Sequence, residues 1–270
     1  MSAPRATIGL ICDPDHEVFS VVAQRLEAAG LTVRRFDPGR RLATSDLDSL
    51  DLLVTKKLGP ETFHALVLAA EQGLGTWNGL STAVLGIRPI GLLALQAVGF
   101  SVPPTAFEKP AGDYVAKPLY DWRSSGRVER NGTGDLYQEL VDADPLDQKY
   151  YAVDDGSQVH VRVVQATSKL RGEKRVLGQV EPDPEIAAGL RTLMAKTDSQ
   201  ALGIDVLETE DGSQVVDVNP AMSFRETGLE SAIVDSIRHR LESGPVESSI
   251  PDPAAVGETV KSLLDGPDVQ

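Results

Sequence analysis

The sequence predicts an α/β domain followed by a strand-rich α+β region. In the first hundred residues, short apolar runs alternate with amphipathic stretches, which is the βαβ rhythm of a parallel sheet with helices on its faces. After the Pro103-Pro104 pair, the pattern changes to strands and hairpins, so this pair marks a turn and a domain boundary. We therefore expect domains at 1–104 and 105–241, followed by an acidic tail with Pro and Gly at 242–270.

The composition limits the classes of partner. A chain of 270 residues is long enough to bury a substantial core, and its net charge of -14 argues against nucleic acid or an anionic membrane as a partner. The single cysteine, Cys12, cannot form an internal disulfide. With no basic-then-apolar leader and no run of 18 apolar residues, we expect a cytoplasmic protein that acts on a small molecule or a peptide. The oligomeric state has no signal in the sequence.

The elements of the first domain follow from apolar runs and the residues that interrupt them. Strands are predicted at 7–12, 31–36, 50–55 and 76–78. Helices are predicted from Asp13 to Ala29, from Pro60 to Gly73 and from about Ser81 to Val98. No GxGxxG follows the first strand and no GxxxxGK[ST] occurs, so Rossmann dinucleotide and P-loop sites lose their main support.

The second region contains two predicted hairpins. One pairs 148–153 with 158–165 across Asp-Asp-Gly-Ser, and the other spans 202–220 around Thr-Glu-Asp-Gly-Ser. Further predictions are strands at 113–119 and 136–141, a Gly- and Arg-bearing loop at 121–134, a basic loop at 168–175, and helices at 184–202 and 228–241.

The second hairpin carries three candidate metal ligands. Asp217 and Asn219 share one face of a strand because side chains alternate, and Asp205 on the preceding strand can reach the same side. Pro220 ends the ladder because it has no N–H donor. Mg²⁺ prefers a few fixed oxygen ligands, so the pattern predicts a magnesium site. The alternative interpretation is a half-buried hairpin with a wet polar face.

A candidate phosphate site precedes the hairpins. Lys117 ends an apolar strand, and the loop that follows contains Gly126, Gly132 and Gly134, whose backbone N–H groups could face phosphate oxygens. The alternative interpretation is an exposed lysine at a sheet edge. Gln138 to Leu140 alternate as a strand whose exposed backbone groups could pair with an adenine edge.

Taken in order, these segments resemble the ATP-grasp superfamily over residues 76–228. The resembling segments are Ile87-Arg88-Pro89, Val98 to Thr105, Val115 to Pro118, Gln138 to Leu140, Gly203 to Asp205 and Val216 to Pro220. The resemblance implies an N-terminal α/β domain and two lobes, at about 105–142 and 143–241, that grip ATP between them.

The resemblance also implies roles for individual residues. Phosphates would contact Lys117, the Gly126 loop and Arg88, which stands where relatives commonly have a lysine. Gln138, Glu139 and Leu140 would form the hinge beside adenine, and Asp147 would hold the ribose. Asp205, Asp217 and Asn219 would hold one or two Mg²⁺, or Mn²⁺ in its place. Asp217 departs from the Glu that most ligase relatives have there.

Two substrate classes are compatible with the resemblance. RimK-type ligases are similar in size and layout, and they activate a carboxylate as an acyl phosphate that an amine attacks. In that case Lys149, Arg162 and Arg225 would stabilise the reacting group. Inositol trisphosphate kinases share the fold and phosphorylate a hydroxyl, and the segments Thr55 to Leu58 and Lys149 to Val153 resemble theirs. Their polyphosphate substrate would need a cationic cleft, for which the candidates are Lys56, Lys57, Lys149, Arg162, Lys169, Arg171, Lys174 and Arg175.

Two further interpretations carry less weight. A catalytically inactive binding module is disfavoured because Lys117 and all three metal ligands are present. His160 is interpreted as a residue of the polar strand face, since no partner for it is identifiable from the sequence.

Overall fold

The computed structural model describes residues 5–120, 129–168, 173 and 175–244. Its first part is a parallel sheet in the order β2-β1-β3-β4 with helices on its faces, as predicted. The elements are β1 (Thr7–Ile11), α1 (Glu17–Ala28), β2 (Thr32–Phe36), α2 (Thr44–Leu47), β3 (Leu52–Thr55), α3 (Pro60–Glu71), β4 (Thr76–Trp77), α4 (Leu80–Ala83) and α5 (Arg88–Ala97).

Two predicted helices of this part are wrong in their extent. The first helix begins at Glu17 and not at Asp13, because the His16 side chain accepts the Phe19 N–H as an N-cap. The helix predicted from Ser81 to Val98 is broken by a 3₁₀ turn and by Ile87, which has extended backbone with φ -84 and ψ 102. Pro89 lies in the first turn of α5, where a missing N–H costs nothing.

Two antiparallel sheets follow the parallel one. The smaller has the order β5-β8-β6-β7, and the larger has the order β11-β10-β9-β12-β13. Their elements are β5 (Thr105–Ala106), β6 (Tyr114–Lys117), β7 (Glu129–Arg130), β8 (Leu136–Glu139), β9 (Leu146–Asp154), β10 (Val159–Thr167), β11 (Val176–Val180), α6 (Pro184–Lys196), β12 (Ala201–Thr209), β13 (Gly212–Asn219) and α7 (Glu230–Ser243).

Both predicted hairpins are present, with corrected ends. In the second, Thr209 pairs with Gly212, so the connection is a two-residue turn and not the five residues predicted. The helix predicted over 184–202 ends at Lys196, because the residues from Ala201 onward pair with β9. Strands β5, β7 and β11 were not predicted, and each is short or exposed at a sheet edge.

A buried hydrophobic cluster runs through the parallel sheet and the larger antiparallel sheet, joining residues of β1, α1, β9, β12 and α7. Asn78, which follows β4 with φ 57, fixes this junction. Its side chain donates to the carbonyls of Ala201 at 2.8 Å and Pro220 at 3.1 Å, and it accepts the Ala201 N–H at 3.0 Å. The end of β4 is thereby tied to the start of β12 and the end of β13.

Helix α5 packs directly on β13. A Cβ added at Gly91 would lie 2.3 Å from Val218 Cγ1 and 2.5 Å from the Leu85 carbonyl oxygen, so only glycine allows this approach. The close packing places Arg88, at the start of α5, beside the second half of the β12–β13 hairpin.

Candidate active site

One face of the larger sheet collects most of the predicted catalytic and metal-binding residues. Asp205 lies directly opposite Asp217 across the hairpin, and Gly203 lies opposite Asn219. Lys149 on β9 is the neighbour of Asp205 on its other side. Because directly paired residues of antiparallel strands share a face, these side chains converge as predicted.

The same face continues onto β10. Arg162 is paired with Tyr151, which follows Lys149 by two residues on β9. The Arg162 side chain is exposed, and its Nη1 donates to the Val161 carbonyl at 2.9 Å. Asp147, predicted to hold ribose, lies two residues before Lys149 and therefore faces the same side of the sheet.

Asp205 and Asp217 each form an ion pair. Lys149 Nζ lies 2.6 Å from Asp205 Oδ2, and Arg88 Nη2 lies 3.1 Å from Asp217 Oδ2. Arg88 also donates through Nη1 to the Pro118 carbonyl at 2.9 Å, and its side chain is only 5% exposed. These cations fix the two carboxylates in place.

The pKa of Lys149 reflects this pairing. Burial lowers the pKa of its ammonium, but the charge of Asp205 and its hydrogen bond outweigh burial, so the pKa lies above its usual value. Lys149 therefore stays charged at physiological pH.

Lys117 connects the two antiparallel sheets. Its Nζ donates to the Val216 carbonyl at 2.6 Å, and the residue is 4% exposed, so it is not an exposed edge lysine. Gly134 packs on the backbone of Lys117, since a Cβ there would lie 2.7 Å from the Lys117 carbonyl oxygen. Lys117 thus ends its strand next to β13. Gly126, the other predicted phosphate contact, lies outside the described residues.

The predicted adenine hinge lies inside the smaller sheet. Gln138 is 2% exposed and pairs with both Thr105 and Val115. The backbone N–H of Glu139 donates to the Pro104 carbonyl at 2.8 Å, and that of Leu140 donates to the Asp113 carbonyl at 3.1 Å. These two donors are already used within the protein. The assignment of this segment to adenine stays a prediction.

Arg225 lies apart from the sheet face. It follows β13 in the loop 221–229, is 61% exposed, and its Nε lies 3.6 Å from Glu17 Oε2 at the start of α1. The structure therefore directs Arg225 toward the N-terminal sheet. His160 has a partner that the sequence did not reveal, because its Nε2 lies 2.5 Å from Asp155 Oδ2 in the β9–β10 turn.

Lys56 and Lys57 were predicted only as members of a cationic cleft for a polyphosphate substrate. Lys56 is 5% exposed and donates to the Ala221 carbonyl at 3.0 Å, just beyond the β12–β13 hairpin. Their position at the carboxyl end of β3 was the available signal, since ligands of parallel sheets bind at that edge. The members of the proposed cationic cleft on the 168–175 loop lie outside the described residues, except for the exposed Arg175.

The hairpin residues suit a hard cation. Asp205, Asp217 and Asn219 offer carboxylate and amide oxygens from rigid strands, which is the donor chemistry that Mg²⁺ accepts. Among the described residues there is no group of three or more His, Cys, Asp or Glu side chains that could hold a metal. A metal here would therefore depend on the two aspartates and the Asn219 amide.

No protein-family profile and no curated protein matches the chain. Solved structures do match it. A RimK-domain ATP-grasp protein from Sphaerobacter thermophilus has 18% identity and a TM-score of 0.64, with 88% of this chain and 99% of that chain covered. The ATP-grasp ligase PsnB, solved with a minimal precursor, Mg and ADP, has 17% identity and a TM-score of 0.63, with 89% and 99% covered. The macrocyclase MdnC from Microcystis aeruginosa, solved with its precursor peptide MdnA, has 13% identity and a TM-score of 0.62, with 86% and 99% covered.

Within the part of the chain that the structure describes, no helix has the length and apolar character needed to cross a membrane.

Proposed function

We propose that this chain, which has the ATP-grasp fold, is an ATP- and Mg²⁺-dependent ligase that joins a carboxylate to an amine. The observation that carries the proposal is the convergence of Asp205, Asp217, Asn219, Lys149 and Arg162 on one sheet face. Anionic and cationic groups fixed side by side on strands are what phosphoryl transfer needs, because its catalysis is mainly positioning and charge stabilisation.

In this proposal Asp205, Asp217 and Asn219 hold Mg²⁺, with Mn²⁺ able to replace it, and the metal supplies charge neutralisation at the phosphates. Lys149 and Arg88 hold the two carboxylates at fixed positions before the nucleotide arrives. Lys117, at the end of β6, contacts the phosphates from the smaller sheet.

The proposed reaction has two steps. A substrate carboxylate oxygen attacks the γ-phosphorus of ATP, the bond to the bridging oxygen breaks, and ADP leaves with that electron pair. The nitrogen of the second substrate then attacks the acyl phosphate, phosphate leaves, and the nitrogen loses its proton to water. Lys149 and Arg162 lie on the face where negative charge develops on the carbonyl oxygen, so they stabilise it electrostatically.

We propose a peptide or an amino acid as the substrate. Two of the structural neighbours, PsnB and MdnC, were solved with precursor peptides. A cytoplasmic location is part of the same proposal, since a single cysteine gives no support for an oxidising compartment.

A second candidate is transfer of the γ-phosphoryl group to a hydroxyl. The observation that favours it is a group of cations, Lys56, Lys57 and Arg225, near the carboxyl edge of the parallel sheet, where a phosphorylated substrate would need them. The two candidates share the nucleotide and metal sites and differ in the acceptor.

The test is ATP consumption by the purified protein with Mg²⁺, offered separately a pool of amino acids and short peptides and a pool of inositol phosphates. The ligase predicts ADP, free phosphate and a new amide mass with the first pool alone. A phosphorylated inositol with ADP and no free phosphate would replace the ligase by the kinase. No ADP with either pool would contradict both candidates.

A further inference from the structure

At the carboxyl edge of the parallel sheet, a second group of cations borders the point where the connections diverge, which we call the crevice. In the sheet order β2-β1-β3-β4, the chain continues from β1 to β2 on one side of β1, whereas β3 lies on its other side. The connections that leave β1 and β3 therefore run in opposite directions and diverge between these two strands. Open parallel sheets bind ligands at such a point. Here the point is bordered by residues 12–16 after β1, by Lys56 and Lys57 after β3, and by the loop 221–228 of the larger sheet.

Lys56 brings a buried charge to this crevice. Its ammonium has three donors, and one of them goes to the Ala221 carbonyl at 3.0 Å. Within the described parts of the chain, no carboxylate lies within ion-pair distance of Lys56, although the residue is 5% exposed. A buried cation without a counter-ion is costly, and burial lowers the pKa of Lys56 to about 8. An anion bound beside it would remove this cost.

Two more cations border the crevice in exposed ion pairs. Lys57 Nζ lies 3.1 Å from Asp13 Oδ2, with the side chains 48% and 42% exposed. Arg225 pairs with Glu17 across 3.6 Å, with 61% and 80% exposed. Exposed pairs of this kind contribute little to stability because water screens them, so an incoming anion can exchange for the carboxylates.

The loop that carries Arg225 is held in an unfavourable conformation. Phe224 and Glu226, on either side of Arg225, have φ of 56 and 63 although neither is glycine. This backbone conformation is unfavourable for residues other than glycine and persists where the surroundings impose it, often at ligand sites. Here the buried Phe224 ring and the hydrogen bond from Thr227 Oγ1 to the Phe224 carbonyl, 2.7 Å, impose the conformation that projects Arg225.

The crevice lies next to the β12–β13 hairpin, which carries the proposed metal ligands. Ala221, which receives the Lys56 hydrogen bond, comes two residues after Asn219. Aromatic rings continue the connection, because Phe224 lies 6.3 Å from Phe19 below the crevice and 6.1 Å from Tyr151 on the reactive sheet face. A molecule held at Lys56 would therefore lie beside the residues proposed to act on ATP.

We propose that this crevice, defined by Lys56, Lys57 and Arg225, binds an anionic group of the acceptor substrate, either a carboxylate or a phosphate. That the bound anion belongs to the acceptor substrate rests on the proposed function, whereas binding of an anion by these three residues does not. The crevice would hold the acceptor by its charge while the reacting atom extends toward the sheet face.

The test is isothermal titration of two probes, triglutamate and inositol trisphosphate, into the full chain without ATP. The variants are Lys56→Met and Arg225→Met, and the matched control is Lys196→Met in the exposed last turn of α6. We expect one probe to bind the unaltered protein and the control alike, and to bind each crevice variant at least tenfold more weakly. Tighter binding of triglutamate would assign the crevice to a carboxylate, and tighter binding of inositol trisphosphate to a phosphate. Failure of both probes to bind, or equal binding by Lys56→Met, would overturn the proposal.

Binding of Mg-ATP to the same proteins separates this proposal from the proposed function. We expect the crevice variants to bind Mg-ATP as the control does. Lys56-dependent anion binding in a protein that consumes no ATP would keep the crevice and remove the ligase. If Lys56→Met left ligase turnover unchanged, the ligase would be kept and the crevice would be removed as the acceptor site. Arg225→Met changes an exposed side chain and therefore should fold. It tests the crevice even if Lys56→Met does not fold.

Discussion

Lys149 and Lys56 are both largely buried lysines beside the β12–β13 hairpin, and their surroundings differ. Lys149 stands on a strand and forms an ion pair of 2.6 Å with Asp205, which keeps its pKa above the usual value. Lys56 follows a strand and contacts a carbonyl, and burial lowers its pKa to about 8. A cation with a fixed carboxylate partner holds that partner in place, whereas a buried cation without a carboxylate is suited to bind an external anion.

The largest effect is expected from Asp217→Asn, because Asp217 is the second carboxylate that a buried cation holds in an ion pair. The amide keeps an oxygen for Arg88 to donate to, but it removes the negative charge that a metal requires. We expect turnover to fall at least about 100-fold, since a metal at the phosphates contributes several kcal/mol to the barrier. The measurement is steady-state ATP consumption, with Asp211→Asn in the exposed hairpin turn as the control. Turnover equal to that of the control would remove Asp217 from the metal site.

The next effect concerns Arg88, which is buried against Asp217. Arg88→Met leaves a buried carboxylate without its cation, so we expect the free energy of unfolding to fall by about 3 kcal/mol. If Asp217 binds metal, Mg²⁺ at 100 times the Kd of the variant should stabilise the variant by about 2.7 kcal/mol, and it should stabilise the unaltered protein by less. Urea unfolding with and without Mg²⁺ measures this, with Arg191→Met on the exposed face of α6 as the control. An equal gain from Mg²⁺ in both proteins would mean that Arg88 and the metal do not share Asp217.

The two lysines themselves give opposite predictions for stability at pH 7. Lys149→Met removes the 2.6 Å ion pair with Asp205, and we expect a loss of about 1–3 kcal/mol. Lys56→Met removes a buried charge and one hydrogen bond to a carbonyl, and we expect no loss or a gain of about 1–2 kcal/mol. Chemical unfolding of both variants measures the difference, and equal losses would mean that Lys56 has a counter-ion after all.

A last prediction concerns a pH dependence of the Lys56 contribution. The folded pKa of about 8 lies below the ordinary value of 10.5, so the unfolded chain binds more protons between these pH values. The destabilisation by Lys56 is therefore complete below pH 8 and disappears by about pH 10.5. Relative to Lys56→Met, the stability of the unaltered protein should rise by up to about 3 kcal/mol across this window.

One neighbour of Lys56 also affects stability in this window. The charged and titratable groups that face Lys56 are Cys12, Asp13, His16, Lys57 and Arg225. Burial raises the pKa of the Cys12 thiol from 9.0 to about 11, so Cys12 lowers stability as the pH rises through this window, but it does so in both proteins and the comparison with Lys56→Met removes it. Burial lowers the pKa of His16 to about 4, which lies outside the window. A flat difference between the two proteins from pH 8 to 10.5 would contradict an uncompensated Lys56.

The features that the sequence could predict are those set by local strand geometry. Alternation along strands, with hairpin pairing, placed Asp205, Asp217 and Asn219 on one face, and the structure confirms that placement as well as the ATP-grasp fold. Lys149 and Arg162 were predicted from the resemblance to stabilise the reacting group, and their position on the same face as Asp205 is a finding of the structure. Strand geometry is local, so a short stretch of sequence determines it.

The remaining features depend on contacts between distant segments. The pairing of Arg88 with Asp217 needs the break before α5 and the close approach at Gly91, neither of which has a periodic signal. The position of Arg225 depends on two left-handed residues that are not glycine, which no residue preference indicates. Lys56 gained its neighbour Ala221 only through the docking of two sheets.

The most direct test of the central claim is the fate of the carboxylate oxygens. The protein would be given Mg-ATP and a pool of amino acids and short peptides whose carboxylates carry oxygen-18, and the released phosphate would be analysed by mass. An acyl phosphate passes one carboxylate oxygen to phosphate, so the ligase predicts phosphate with a single heavy oxygen. Phosphate released without the label would show that no carboxylate was activated and would contradict the proposed function.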